Sequence, residues 1–180
     1  MGAIATTFDG IEYRSRLEAR WAAFMHNIGW DHTYEPIDGD GYIPDFIVHG
    51  DSPFFVEVKP AITVTDLTKE QSKVERGLRD LDYDVIVVGV SPFNTGAGFA
   101  DGHTSVSAGW MNNEGDWAPA DWITCGFCNR IAVAHTTMSF HGRPCSHADG
   151  DHFLHFPPLR FLEGCWSDAC NEVKWRGRSA

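Results

Sequence analysis

Apolar residues recur at three- and four-residue steps through residues 13–28, where Leu17, Trp21, Phe24 and Ile28 align, and this spacing predicts an amphipathic helix with one buried face. Glu18 sits one position on, about 100° round the helix and on the side of Trp21 and Ala22. Its carboxylate therefore stands at the core boundary, where a charge needs a partner. The period then changes. Residues 30–36 read as a short extended segment closed by Pro36, the run Asp38-Gly39-Asp40-Gly41 reads as a turn, and residues 42–48 read as a strand that Pro44 keeps from being central. A second turn at residues 50–53 leads into Phe54-Phe55-Val56-Glu57-Val58-Lys59, a β-branched and aromatic run ended by Pro60. The two runs predict an antiparallel hairpin. Thr65 is a suitable cap for a helix reaching about residue 81, with Leu67, Val74, Leu78 and Leu81 on one face, and residues 84–90 read as a buried strand.

The order helix, three strands, helix, strand predicts an α/β fold for residues 1–91, a mixed sheet flanked by helices. Residues 92–116 are rich in Gly, Asn and Ser with little periodicity, and read as a linker loop. Residues 117–156 hold a cluster of cysteines and histidines and read as a small separate module. In residues 157–180, Pro157-Pro158 opens a last helix in which Leu159, Leu162 and Trp166 keep helical spacing.

Composition narrows the class. A hydrophobic content of 43% and a charged content of 22% are ordinary for a globular chain, which excludes disordered and fibrous readings. The longest apolar run, Val85-Ile86-Val87-Val88, falls far short of the roughly 20 residues of a membrane span, and the N-terminus has no basic-then-apolar leader. A cytoplasmic protein without a membrane partner is expected. The net charge of −11 argues against a protein that coats nucleic acid by charge alone, although metal-binding carboxylates inflate the acidic count and a local basic strip can serve a substrate.

Candidate chemistry lies in Pro44-Asp45, followed twelve residues later by Glu57-Val58-Lys59. Neighbouring strands lie about 4.8 Å apart, so Asp45 and Glu57 can reach one hard divalent cation, while Glu57 and Lys59, two apart on one strand, share a sheet face. Glu18 completes the set if its helix packs on that face. Taken singly the fragments have ordinary readings, Pro-Asp as a turn and Glu-x-Lys as a solvated ion pair. Lys69, Lys73 and Arg76 form a basic stripe on the second predicted helix, and Arg14 and Arg16 lie near the start of the first. These five could contact phosphates, or the stripe could be a solvated face paired with Glu70 and Glu75.

In Pro44-Asp45, Glu57-Val58-Lys59 and the helical Glu18, the chain resembles the PD-(D/E)XK nuclease superfamily over about residues 13–90. It is similar in detail to small stand-alone members such as phage endonucleases and Holliday junction resolvases, and to the nuclease subunit of certain transposons. The resemblance implies a restriction-endonuclease-like core, DNA as substrate, and Mg²⁺ (or Mn²⁺) held by Asp45 and Glu57, with Lys59 assisting at the phosphate. Glu35 occupies a position where some relatives carry a further acid. Gln71 has Glu75, not a tyrosine, four residues on, so the exonuclease-type subgroup gains no support.

All five cysteines lie in the last third of the chain, and an odd number without a secretion signal argues against a disulfide framework. Cys125-Gly126-Phe127-Cys128 forms a knuckle, and Cys145-Ser146-His147 follows to close a structural Cys₃His zinc site of the zinc-ribbon kind. His135, His141, His152 and His155 are alternatives to His147. Cys165 and Cys170, five apart on a predicted helix, read as buried thiols. The leading expectation is a Mg²⁺-dependent DNA endonuclease whose zinc module helps dock substrate or a protein partner. A non-catalytic adaptor with a nuclease-like fold is the alternative, and a zinc hydrolase at the histidine cluster is a third. Oligomeric state is not legible.

Overall fold

The structure, a computed structural model, describes residues 4–37, 42–79, 81, 83–93, 107–135, 154–155 and 157–174. Strands β1 (Thr6–Phe8) and β2 (Ile11–Tyr13) form a hairpin, turned by Asp9 and Gly10 with φ of 47° and 77°. Helix α1 (Arg16–Asn27) follows, with Ser15 as its cap and Gly29 (φ 79°) taking the left-handed conformation just past its end. Next come β3 (His32–Tyr34), β4 (Phe46–Val48) and β5 (Phe54–Val58). Helix α2 (Val64–Leu67), a 3₁₀ turn (Thr68–Glu70) and helix α3 (Gln71–Gly77) lead to β6 (Asp84–Val88). The chain continues as β7 (Ser107–Asn113), β8 (Asp116–Cys125), β9 (Ile131–His135), β10 (Leu154–His155) and α4 (Leu159–Glu172).

Eight strands make one sheet in the order β10-β8-β7-β6-β5-β4-β3, with β9 also paired to β8. Strands β5 and β6 run parallel and the other pairs antiparallel. This is a mixed sheet with helices on both faces, the α/β class expected. On one face α1 and α4 cover Phe46, Phe54, Val56, Ile86, Met111, Trp122 and Val133; on the other, α2 and α3 bring Leu67, Val74 and Leu78 onto Phe55, Val85 and Val87. Trp166 of α4 packs against Trp21 and Phe24 of α1. Three buried indoles tie distant segments together, donating from Trp21 to Gly89 O, from Trp30 to Ile131 O and from Trp122 to Pro92 O, each at 2.8 Å. Among the described residues no helix is long and apolar enough to cross a membrane.

Three expectations need correction. The second helix is broken: Thr63, not Thr65, caps α2 by accepting from Asp66 N–H at 3.2 Å. Thr68 Oγ1 donates back to Thr65 O at 2.9 Å, and such side-chain bonds to the backbone favour the tighter turn that separates α2 from α3. Within the expected linker, residues 107–113 are a full strand between β6 and β8. Small residues there hide its character, because β7 runs so close to β6 that a Cβ on Gly109 would meet Val87 O at 2.3 Å. Finally, β8 and β9 are not a separate module, since Ala120, Trp122, Ile131 and Val133 belong to the main core. Residues 145 and 147, expected as zinc ligands, lie outside the described residues, as do 141 and 152.

Candidate active site

The site begins with strand register. Phe46 pairs with Val56, Ile47 with Phe55 and Val48 with Phe54, so one further step places Asp45 opposite Glu57. Asp45 Oδ2 accepts from Val58 N–H at 2.7 Å, which fixes that carboxylate on β5. Along β5 the side chains alternate: Phe54, Val56 and Val58 enter the α1/α4 core, Phe55 enters the α2/α3 core, and Glu57 shares the face of Phe55. Lys59, two residues on, makes an ion pair with Glu57 Oε1. Asp45, Glu57 and Lys59 are thus brought together as their spacing predicts.

Glu18 is placed differently. Ser15 Oγ donates to its Oε1 at 2.7 Å and accepts from its backbone N–H at 3.1 Å, while the Tyr34 hydroxyl donates to its Oε2 at 2.6 Å. Both oxygens are engaged, and α1 covers the Phe46/Val56 face, not the face of Glu57. Glu18 reaches the cluster through Arg14. That guanidinium was expected at phosphates, yet its Nη2 binds Asp45 Oδ1 at 2.7 Å and its Nε binds Glu35 Oε1 at 2.8 Å, with Glu18 Oε2 at 3.9 Å. Buried carboxylates are costly without a countercharge, and the fork of Arg14 supplies one. Of the other basic candidates, Lys69 pairs with Asp66 at 2.6 Å, and Lys73 and Arg76 are exposed on α3.

Electrostatics single out the Asp45 and Glu57 pair. Both residues are nearly inaccessible, at 4% and 3% exposure, so water screens neither. Burial, with the Glu57 charge next, pushes the Asp45 carboxyl up to about 7, against the opposing pull of the Val58 N–H. Burial and Glu57 likewise hold the proton on the Tyr42 hydroxyl. That hydroxyl interacts with Glu57, but neither it nor Glu57 Oε2 has a partner at good hydrogen-bond geometry. Four carboxylates (Glu18, Glu35, Asp45, Glu57) face two cations (Arg14, Lys59), and with every acid ionised two negative charges stay uncompensated.

The chemistry of this donor set fits a divalent cation: an oxygen without a partner on Glu57, a desolvated Asp45, and a charge deficit of two. Among the described residues no three His, Cys, Asp or Glu side chains already stand at metal-ligating separations, and Arg14 is what Asp45 and Glu35 close upon. Ser15, Tyr34, Tyr42 and the clamping role of Arg14 were not read from the sequence. One signal existed, since Ser15-Arg16-Leu17-Glu18 has the spacing of a capping box.

Tyr42 is positioned by α3, where a Cβ on Gly77 would meet its ring at 2.3 Å. Gly77→Ala is expected to push that ring toward Glu57 and to lower stability by about 1–3 kcal/mol, measured by urea unfolding. A change under about 0.5 kcal/mol would show that the contact is not tight.

At the β8–β9 tip, Cys125 N–H donates to Arg130 O at 2.9 Å and Asn129 N–H to Cys125 O at 2.8 Å, with Asn129 in the left-handed region (φ 58°). This turn carries Cys125 and Cys128. Compared with protein-family models, curated proteins and solved structures, the chain matches none.

Proposed function

We propose that this chain is a metal-dependent DNA endonuclease of the PD-(D/E)XK kind. The order α1, β3, β4, β5, α2/α3, β6, with three antiparallel strands and a fourth parallel to the third, supports a restriction-endonuclease-like core. Asp45 and Glu57 would hold Mg²⁺ or Mn²⁺, and Glu18, fixed by Ser15 and Tyr34, orients Arg14 beside them. When bound, the ion supplies Lewis-acid stabilisation of the phosphate and a water of lowered pKa. Lys59 holds Glu57 in place and presents an ammonium group to phosphate charge.

The observation that carries this reading is the buried cross-strand carboxylate pair with its charge deficit of two. A divalent cation removes that deficit whole, whereas a proton on Asp45 removes half of it. The test is cleavage of duplex, branched and single-stranded DNA under Mg²⁺ or Mn²⁺, with metal content measured on the same sample. No cleavage of any of these would favour the adaptor reading, to which one feature already leans: Arg14 and two hydroxyls satisfy much of the carboxylate set without metal.

We further propose a structural Zn²⁺ held by Cys125 and Cys128, with Cys145 and His147 as the remaining ligands. Two cysteines on one hairpin turn suit such a knuckle and a reducing, cytoplasmic setting. Cys125→Ser is expected to release one zinc per chain and to lower the melting temperature by roughly 10 °C, because binding energy at a structural site is folding energy. Unchanged metal content in that variant would remove the assignment. Cleavage lost in a still-folded Cys125→Ser protein, but kept after Asp45 and Glu57 are substituted, would support the zinc-hydrolase reading.

A further inference from the structure

We propose that Arg16 and Arg20 on α1, with Lys174 just past α4, form a docking strip for the phosphate backbone of duplex DNA leading to the carboxylate cluster. The inference rests on the nuclease reading for its choice of DNA. Among the described residues none of the three forms an ion pair, in contrast to Arg14, Lys59 and Lys69. The Nε atoms of Arg16 and Arg20 are shielded from water and have no hydrogen-bond partner. A desolvated charged donor without an acceptor is destabilising, so the two side chains gain by turning outward onto an acceptor such as a phosphate oxygen.

The three groups are drawn together by the fold. Arg16 and Arg20 are four apart on α1, one helical turn or about 6 Å along its axis and on the same side. Arg20 and Lys174 both lie close enough to Cys170 to pull against the rise that burial gives its thiol, which places them on the same α1/α4 border. Lys174 follows the C-terminus of α4, where the helix dipole favours cations. Arg16 lies in the first turn of α1, two residues from Arg14, which binds Asp45 at 2.7 Å, so this end of the strip is the one nearer the cluster. Arg160, exposed at the other end of α4, provides an internal comparison.

The experiment measures binding of a fluorescein-labelled 20-base-pair duplex to the full chain by anisotropy in EDTA, across a salt series. Wild-type protein is expected to bind with a salt slope that falls by about 2 in Arg16→Gln/Arg20→Gln, with at least about tenfold weaker affinity at 100 mM salt. Arg16→Lys/Arg20→Lys keeps most of the binding, and Arg160→Gln, at the far end of α4, leaves it unchanged. Because the glutamine variant could misfold, phenylglyoxal modification of the wild-type protein gives a second measurement, in which duplex DNA protects Arg16 and Arg20. Wild-type affinity and slope in a folded glutamine variant, both arginines reactive with DNA present, or no DNA binding by the wild type would each overturn the strip. Cleavage under Mg²⁺ in the same preparations separates the two ideas. Strip-independent binding with intact cleavage sinks the strip alone, whereas strip-dependent binding without cleavage sinks the nuclease reading alone.

Discussion

Asp45→Asn and Glu57→Gln are each expected to lower Mg²⁺-dependent cleavage of duplex DNA by at least about 1,000-fold, while the folded state persists. The size follows from the role assigned to the pair, because losing roughly 4 kcal/mol of charge stabilisation at the phosphate is about three powers of ten in rate. Both changes keep side-chain volume. Asparagine can still accept from Val58 N–H, and glutamine can still accept from Lys59, but the amide at position 45 turns its NH2 toward the Arg14 guanidinium, so the rate is read against the melt of the same variant. Alanine at position 45 would leave Val58 N–H without its acceptor, and a loss of activity in that variant would confound folding with chemistry. The measurement is the nicking rate of supercoiled plasmid with Mg²⁺ in excess, beside a thermal melt. Cleavage within tenfold of wild type in either variant would remove Asp45 and Glu57 from the reaction.

The second large effect is a pH-dependent response to metal. The Asp45 carboxyl has its folded-state pKa raised to about 7, above its unfolded value, so the folded state binds the extra proton between those limits. Its contribution to stability is therefore complete below about pH 4 and is lost as pH rises through about 7. Through this group, metal-free protein should melt lower at pH 8 than at pH 5, by on the order of 2 kcal/mol or roughly 5 °C. Mg²⁺ needs ionised ligands, so it should restore the melting temperature at pH 8 and do little at pH 5. Asp45→Asn should flatten the pH dependence and abolish the metal response together. A metal-induced shift of equal size at both pH values, or one that survives Asp45→Asn, would mean that the ion binds elsewhere.

Periodicity made α1, the β4–β5 hairpin, β6 and α4 legible, because each buries one clear apolar stripe or run. It failed where packing depends on small residues. Ala108 and Gly109 carry no hydrophobic signal, yet the close approach of β7 to β6 requires a residue without a side chain at position 109. Turn chemistry offered more than was taken from it. Glu114 and Gly115 both have positive φ, 50° and 90°, and join β7 to β8 as a tight hairpin, while Asp9-Gly10 does the same for β1 and β2. Within the site, spacing along one strand captured Glu57 and Lys59, and cross-strand register captured Asp45. Arg14 escaped because its partners Glu35 and Asp45 lie 21 and 31 residues away, and only the folded sheet brings them to one point.

The contact of α4 with α1 bears on when this protein becomes able to act. Glu18 and the Arg14 clamp depend on the footing of α1, and Trp166 completes the cover over Trp21 and Phe24 of that helix. Asn27 reaches across to Cys165 O over 138 positions of sequence. A chain still emerging from the ribosome has made its first helix long before the one that steadies it, so hydrolytic competence would arrive late in synthesis. In the nuclease proposed, such a delay would keep a half-made enzyme from cutting DNA.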